Sequence, residues 1–279
     1  MKTVGFIDYF LHEWHANEYP AMIQAYNQKN GTDYQVKYAW AEIDSPNGGM
    51  TTDEWCNHYG AERCATIEEL CEKCDCVFVL APSNPEKHLA YAKAVFACGK
   101  SPYIDKTFAP DYATAQEIYA LAKQYGVQFF SSSALRYSDE LNSYMGTANA
   151  IFTTGGGSNF DEYVIHQLEM VVKCLGVGAE KIRYENHGGQ EWAEISFKDG
   201  KYAKMMFAPC MPFAATVSDV EGTKYLPINS AFFDNLIADI FHFFETGEVS
   251  FCGCETLEIA KLRETIIKAK DTPNTWQTL

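Results

Sequence analysis

The chain has 279 residues, of which 47% are apolar, 14% aromatic and 21% charged, the profile of a soluble globular protein long enough for two domains. Its formal net charge of −15 argues against a nucleic-acid or anionic-membrane surface, since both need clustered lysine and arginine. Its longest apolar runs, such as residues 76–82, are too short to span a bilayer, and the opening "MKTVGFID" lacks the apolar segment of a signal peptide. A cytoplasmic protein is expected.

The ten cysteines read as free, mostly buried thiols of a reducing compartment. Cys71 and Cys74 have the spacing of two zinc ligands. They fall at a helix end, however, and Cys76 opens a strand, so the three point in different directions and no metal site is expected there.

Residues 3–8 read as a first strand, followed by a helix from about residue 17 to Gly31. A second strand covers 34–41, with the acids Glu42 and Asp44 just past it. Thr51 and Glu54 are spaced as a capping box, and Thr66 and Glu69 repeat the pattern. Residues 76–82 form the continuous apolar run of a parallel strand covered on both faces. A helix over 87–98 stops at Gly99, a short strand covers 102–106, a helix over 111–125 stops at Gly126, and 127–133 reads as a sixth strand. This alternation indicates a doubly wound parallel sheet over residues 1–132, with its ligand crevice at the carboxyl ends of the strands.

The texture changes at residue 133. A helix over 161–175 ends at Gly176, and residues 181–219 read as a meander of antiparallel strands, with Asp199-Gly200 a hairpin turn. Two helices follow, over 231–244 and 256–270. Residues 133–279 are therefore expected to form an α+β domain on one mostly antiparallel sheet, whose open face would pair with a second copy in a homodimer or larger oligomer.

Several motifs line up with a family. "CDCVFVLAPSNPEKHLAYAKAVFACGKSPYIDKTFAPDYATAQEIYALAKQYGVQFFSSSALRY" resembles the core of the Gfo/Idh/MocA oxidoreductases, typified by glucose–fructose oxidoreductase and inositol dehydrogenase. The shared features are Ala81, Pro82 and His88 after an apolar strand, Asp105-Lys106-Thr107 where the family has Glu-Lys-Pro, and Arg136-Tyr137. "NFDEYVIHQLEMVVKCLG" resembles the helix that opens the family's second domain, with His166 at the position of its histidine. The resemblance implies a Rossmann-like domain that binds NAD or NADP, and hydride transfer to or from a sugar, cyclitol or related polyol.

It also implies roles for residues. Lys106 and His166 would handle the proton, with Asp161 and Tyr163 beside them, because an imidazole titrating near neutrality suits a general base. Cofactor contacts would fall on Asp8, Tyr9, Phe10, Glu42, Pro82, Ser83 and Asp105.

One stretch departs from the family. Its G-x-G-x-x-G/A falls here on Asp8, Phe10 and Glu13. The turn therefore lacks the glycines that admit a pyrophosphate, and its two acids would oppose one. What it offers instead is a polar and aromatic surface: His12, Trp14, His15 and Asn17, joined by Tyr137, suit the apolar face and hydroxyl edge of a polyol. His12 and His15, with His166 and Glu169, could alternatively ligate a divalent metal, although no metal is assigned. The second reading is a diverged fold that binds a polar small molecule without a soluble dinucleotide, as a sensor, a subunit or a non-redox enzyme.

Overall fold

Val4, Phe6 and Ile7 are wholly buried in β1 (Lys2–Asp8), as a strand covered on both faces requires. The computed structural model, which describes residues 1–279, carries the chain on through α1 (Trp14–Asn30), β2 (Tyr34–Ala41), α2 (Thr52–Tyr59) and β3 (Glu62–Arg63). Next come α3 (Ile67–Lys73), β4 (Cys76–Val79), α4 (His88–Ala97), β5 (Tyr103–Ile104) and α5 (Tyr112–Tyr125). The five strands are parallel, in the order β3-β2-β1-β4-β5. Strand order reverses between β1 and β4, the switch point at whose carboxyl ends sheets of this class bind ligands.

Local signals account for much of this. The capping box of Thr51 and Glu54 is formed. Thr66 accepts from the amide of Glu69, but the Glu69 carboxylate reaches Ala65 instead of closing the box. In β1, a Cβ on Gly5 would lie 2.6 Å from Leu70 Cδ2, so α3 packs directly onto the strand backbone. The expected sixth strand shrinks to one parallel bridge, Phe130 to Tyr103. Its serines bond elsewhere: Ser131 Oγ donates to the Asp105 carbonyl (3.3 Å), and the Ser132 carbonyl accepts from Tyr103 Oη (3.0 Å). Such side-chain bonds compete with a ladder.

The second half is built on β6 (Ala150–Gly155), α6 (Phe160–Leu175), β7 (Ala179–His187), β8 (Gln190–Phe197) and β9 (Tyr202–Phe207). It continues through β10 (Ala214–Asp219), β11 (Gly222–Pro227), α7 (Phe232–Thr246), α8 (Gly253–Ala269) and β12 (Gln277–Thr278). The sheet order is β11-β10-β6-β9-β8-β7-β12, antiparallel except between β6 and β9. The apolar face of α6, including Val164, Leu168 and Val172, shares one core with Ile182, Ile195 and Met205 of the sheet. Gly200 turns the β8–β9 hairpin at φ +86°, a conformation that favours glycine.

Residues cluster into two units: Met1–Ala109, Ala113–Ser132 and Leu236–Ser250 in one, Pro110–Tyr112, Ser133–Asn235 and Phe251–Leu279 in the other. Most of α7 therefore belongs to the parallel-sheet unit. There Phe241, fully buried, stacks on Tyr34 with ring centroids 3.9 Å apart and on Tyr26 at 4.9 Å. No helix is long and apolar enough to cross a membrane. Phe241→Ala is expected to lower unfolding stability by about 3–5 kcal/mol, read from urea melts, because it empties a buried aromatic site. A change below about 1 kcal/mol would mean that α7 contributes little to this core.

Candidate functional site

The carboxyl edge of the parallel sheet is built around buried acids. Asp8, at the end of β1, accepts through one oxygen from the amides of Tyr9 (2.7 Å) and Ala81 (3.0 Å). This joins the ends of β1 and β4 where the strand order reverses. It also holds Ala81 at φ +62°, a left-handed conformation unusual for a residue with a Cβ. The other oxygen, Oδ2, is buried without a hydrogen-bond partner. Burial, reinforced by the nearby Glu13 carboxyl, pushes the Asp8 carboxyl well above the usual carboxylate range, so it is held toward its neutral form.

Glu13 caps α1 with its own side chain, which is why the helix begins at Trp14 and not near residue 17. One carboxylate oxygen accepts from the His15 amide (2.8 Å) and the other from the Ala16 amide. Burial raises its carboxyl, against the opposing pull of His15.

The His15 ring sits on Asp105, with Tyr19 Oη 3.2 Å from its Nδ1. Asp105 also accepts from Tyr103 Oη (3.0 Å) and the Lys106 amide (2.8 Å). Burial would raise Asp105, but the imidazole of His15 and the charge and amide of Lys106 outweigh it and hold it below its ordinary value. Neighbouring carboxyls are thus driven in opposite directions. Lys106 follows directly, half-buried at the edge beyond β5, and its ammonium has no hydrogen-bond partner in the chain.

Other expected residues of this unit are already engaged. Glu42, past β2, accepts from Lys87 Nζ and Tyr91 Oη, both at 2.6 Å. Tyr9 lies under Lys87 Nζ, 4.5 Å from the ring centroid, with Phe10 edge-on to it. Asn17 accepts from Trp55 Nε1 and Tyr59 Oη, both at 3.0 Å, and so docks α2. His12 lies against Gly49 with a buried, unpartnered Nδ1. Trp14, half exposed, stands edge-on to His15. The Pro82 carbonyl accepts from the Thr107 amide (3.4 Å), while Ser83 is exposed. His88 is buried between the carbonyls of Leu80 and Phe108, a clamp on the loops that flank the edge.

In the second unit, His166 Nδ1 lies 2.6 Å from Ser133 Oγ, and the rings of Tyr163 and Phe213 stand edge-on to the imidazole. The Ser133 amide donates to Glu169 (2.9 Å), which is buried and also accepts from Arg136 (3.0 Å). The Arg136 guanidinium reaches Glu255 as well and lies 4.0 Å from the centroid of the Phe251 ring. Asp161 is not part of this cluster: its carboxylate pairs with Lys270 at 2.5 Å. Tyr137 lies in the same turn as Arg136, its carbonyl accepting from Asn235 (3.0 Å). Sequence reasoning set Glu169 beside His166, three positions on and so on one helix face, but overlooked Ser133 and Glu255 as members of this cluster.

One cysteine expectation needs amending. Cys252 and Cys254 form a disulfide, being close enough in "CGC" to bond without any distant partner. Cys71, Cys74 and Cys76 are free and buried as expected. No group of three or more His, Cys, Asp or Glu side chains is placed to hold a metal ion.

A dinucleotide can be tested against these positions. Glu42 fits the ribose-binding acid, since each of its oxygens keeps a second lone pair. The amides that open α1, the usual seat of a diphosphate, are filled by Glu13. As folded they do not fit one; they would fit only with the Glu13 carboxylate off the His15 and Ala16 amides.

The raised carboxyl of Asp8 has a sign that can be measured. The folded state holds this proton more tightly than the unfolded chain, so the stability it contributes is complete below about pH 4 and declines as pH rises toward the folded-state value. Asp8→Asn keeps the acceptor for Tyr9 and Ala81 but cannot ionise. Urea melts from about pH 4 to 8 should show the variant gaining on the wild type as pH rises. A pH-independent difference would show an ordinary Asp8.

Residues 22–133 match the model of the oxidoreductase family with an NAD-binding Rossmann fold, GFO_IDH_MocA. No curated protein matches the chain. Among solved structures, the myo-inositol dehydrogenase of Lactobacillus casei, in complex with NAD(H) and myo-inositol, is similar with a TM-score of 0.78 at 10% identity, over 100% of this chain and 96% of that one. GenD2 from gentamicin A biosynthesis, in complex with NAD, is similar with a TM-score of 0.75 at 12% identity, over 100% and 97%. An NAD-binding oxidoreductase from Klebsiella pneumoniae is similar with a TM-score of 0.73 at 12% identity, over 99% and 98%. Residues 22–133 thus match the Gfo/Idh/MocA oxidoreductase family model, and the whole chain has the two-sheet fold of these solved structures.

Proposed function

We propose that this protein is a nicotinamide-dependent oxidoreductase acting on a polyol or sugar-like alcohol. The observation that carries the reading is Lys106: within the family-matched segment, its unpaired ammonium stands at the carboxyl edge of the parallel sheet, where this fold binds ligands. The neighbour crystallised with NAD(H) and myo-inositol supports the substrate class.

A bound nicotinamide ring would supply the hydride acceptor or donor. The chain's own residues would manage the alcohol. The Lys106 ammonium, anchored through its amide to Asp105, donates to the substrate hydroxyl oxygen and favours loss of its proton. In the second unit His166, with Ser133 Oγ at its Nδ1 and Glu169 holding Ser133 through its amide, is the residue we assign as general base. Tyr163 packs against the imidazole and limits its rotation. His15 and Trp14 offer a polar and aromatic surface for the ring.

A homodimer through the sheet face opposite α6 and a cytoplasmic location belong to the same reading. On that face Phe152 and Trp192 stack with centroids 6.2 Å apart, and Lys204 covers Trp192.

Millimolar NADH or NADPH should raise the melting temperature, because a ligand bound only by the native state stabilises it. Lys106→Ala and His166→Ala should each lower kcat by about 10²–10⁴ while that shift persists. If neither cofactor moves the melting temperature and neither substitution alters turnover, the reading fails. Light scattering should give a dimer mass or a multiple of it; a monomer would remove the sheet face as an interface.

A further inference from the structure

The first amides of an α-helix have no partner within the helix and carry its positive end, which is why anions settle there. In α1 two of them, His15 and Ala16, are taken by the two oxygens of one carboxylate, that of Glu13. Asn17, the next amide, bonds to the Glu13 carbonyl at 3.0 Å. Glutamate is not among the favoured caps, which are Ser, Thr, Asp and Asn. Here its longer arm lets it turn back and span two donors where a short cap satisfies one. A second observation lies in the same turn: Asp8 is 1% exposed, and its Oδ2 is buried with no hydrogen-bond partner. The end of α1 that follows β1 is therefore surrounded by the chain's own carboxyls, Asp8, Glu13 and Asp105, with His15 set among them and the Lys106 charge acting on Asp105.

We propose that Glu13 is a specificity-determining residue, a tethered carboxylate that occupies the diphosphate position on α1, so that a phosphate-bearing ligand must displace it and a phosphate-free ligand need not. The inference rests on the reading of this domain as dinucleotide-binding. Tethering places the carboxylate at high effective concentration next to its amides. An incoming diphosphate competes for the same two donors and meets the acids of the turn as well. Adenosine, which carries no phosphate, makes no such demand. The missing glycines and the acidic turn thus act together: the first withhold room for a phosphate, the second fills its place.

Glu13→Ser and Glu13→Gln test this. Serine restores a neutral cap that keeps α1 closed, and glutamine keeps the size while removing the charge. Calorimetric titration at fixed ionic strength would use ADP and adenosine as probes, with melting temperatures recorded alongside. Both variants should bind ADP about tenfold more tightly than the wild type, with adenosine unchanged. Should Glu13→Ser unfold, Glu13→Gln decides alone. ADP affinity that is unchanged, weaker or undetectable in folded variants overturns the inference. An equal gain for adenosine overturns it too, because phosphate would not be what Glu13 opposes. A gain in ADP affinity in a protein that oxidises no polyol would leave this inference standing and remove the redox reading; oxidation with unmoved ADP affinity would do the reverse.

Discussion

The bond from one buried oxygen of Asp8 to the amides of Tyr9 and Ala81 ties together the ends of β1 and β4, the two strands between which the sheet reverses order. In most folds of this kind a glycine turn keeps that point open. Here a carboxyl closes it, and a carboxyl in such surroundings is tolerable only while neutral. The neighbouring Asp105 is its counterpart: equally buried, but supplied with an imidazole, a phenol and an amide, so it remains charged. Two acids of one edge are assigned opposite states by their partners alone. One consequence is positional. Asp105 fixes the backbone of Lys106 through its amide, and the ammonium beyond it has no hydrogen-bond partner in the chain.

The second unit uses the same economy around a cation. Arg136 is buried between Glu169 and Glu255, over the ring of Phe251. A buried guanidinium needs such company, since removing one partner would strand a charge away from water. Glu169 also accepts from the Ser133 amide, so one carboxylate serves both the ion pair and the residue whose hydroxyl meets His166. The imidazole is thereby positioned by contacts that stability already requires.

Sequence reading reached the fold because its signals are local. A continuous apolar run such as residues 76–82 marks a central strand, and glycines 31, 99, 126 and 176 mark helix ends. It failed where side chains answer to distant residues. The serines 131–133 looked like strand continuation but bond to β5, Glu169 and His166. Asn17 looked like a substrate contact but receives Trp55 and Tyr59, about 40 residues on. Asp161 looked like a partner for His166 but faces Lys270, 109 positions away. The family match begins at residue 22, past the acidic turn. Even there, the acids were legible and the self-capping by Glu13 was not, because glutamate is an uncommon cap.

The central claim is that this edge is a dinucleotide site whose diphosphate seat is held by the chain's own carboxylate. A crystal structure of the wild-type protein grown with saturating NADH addresses it most directly. The account predicts a diphosphate on the amides of His15 and Ala16, the Glu13 side chain swung away from them, and Glu42 against the ribose. A dinucleotide bound elsewhere with Glu13 still seated on α1, or no dinucleotide at all, would contradict it.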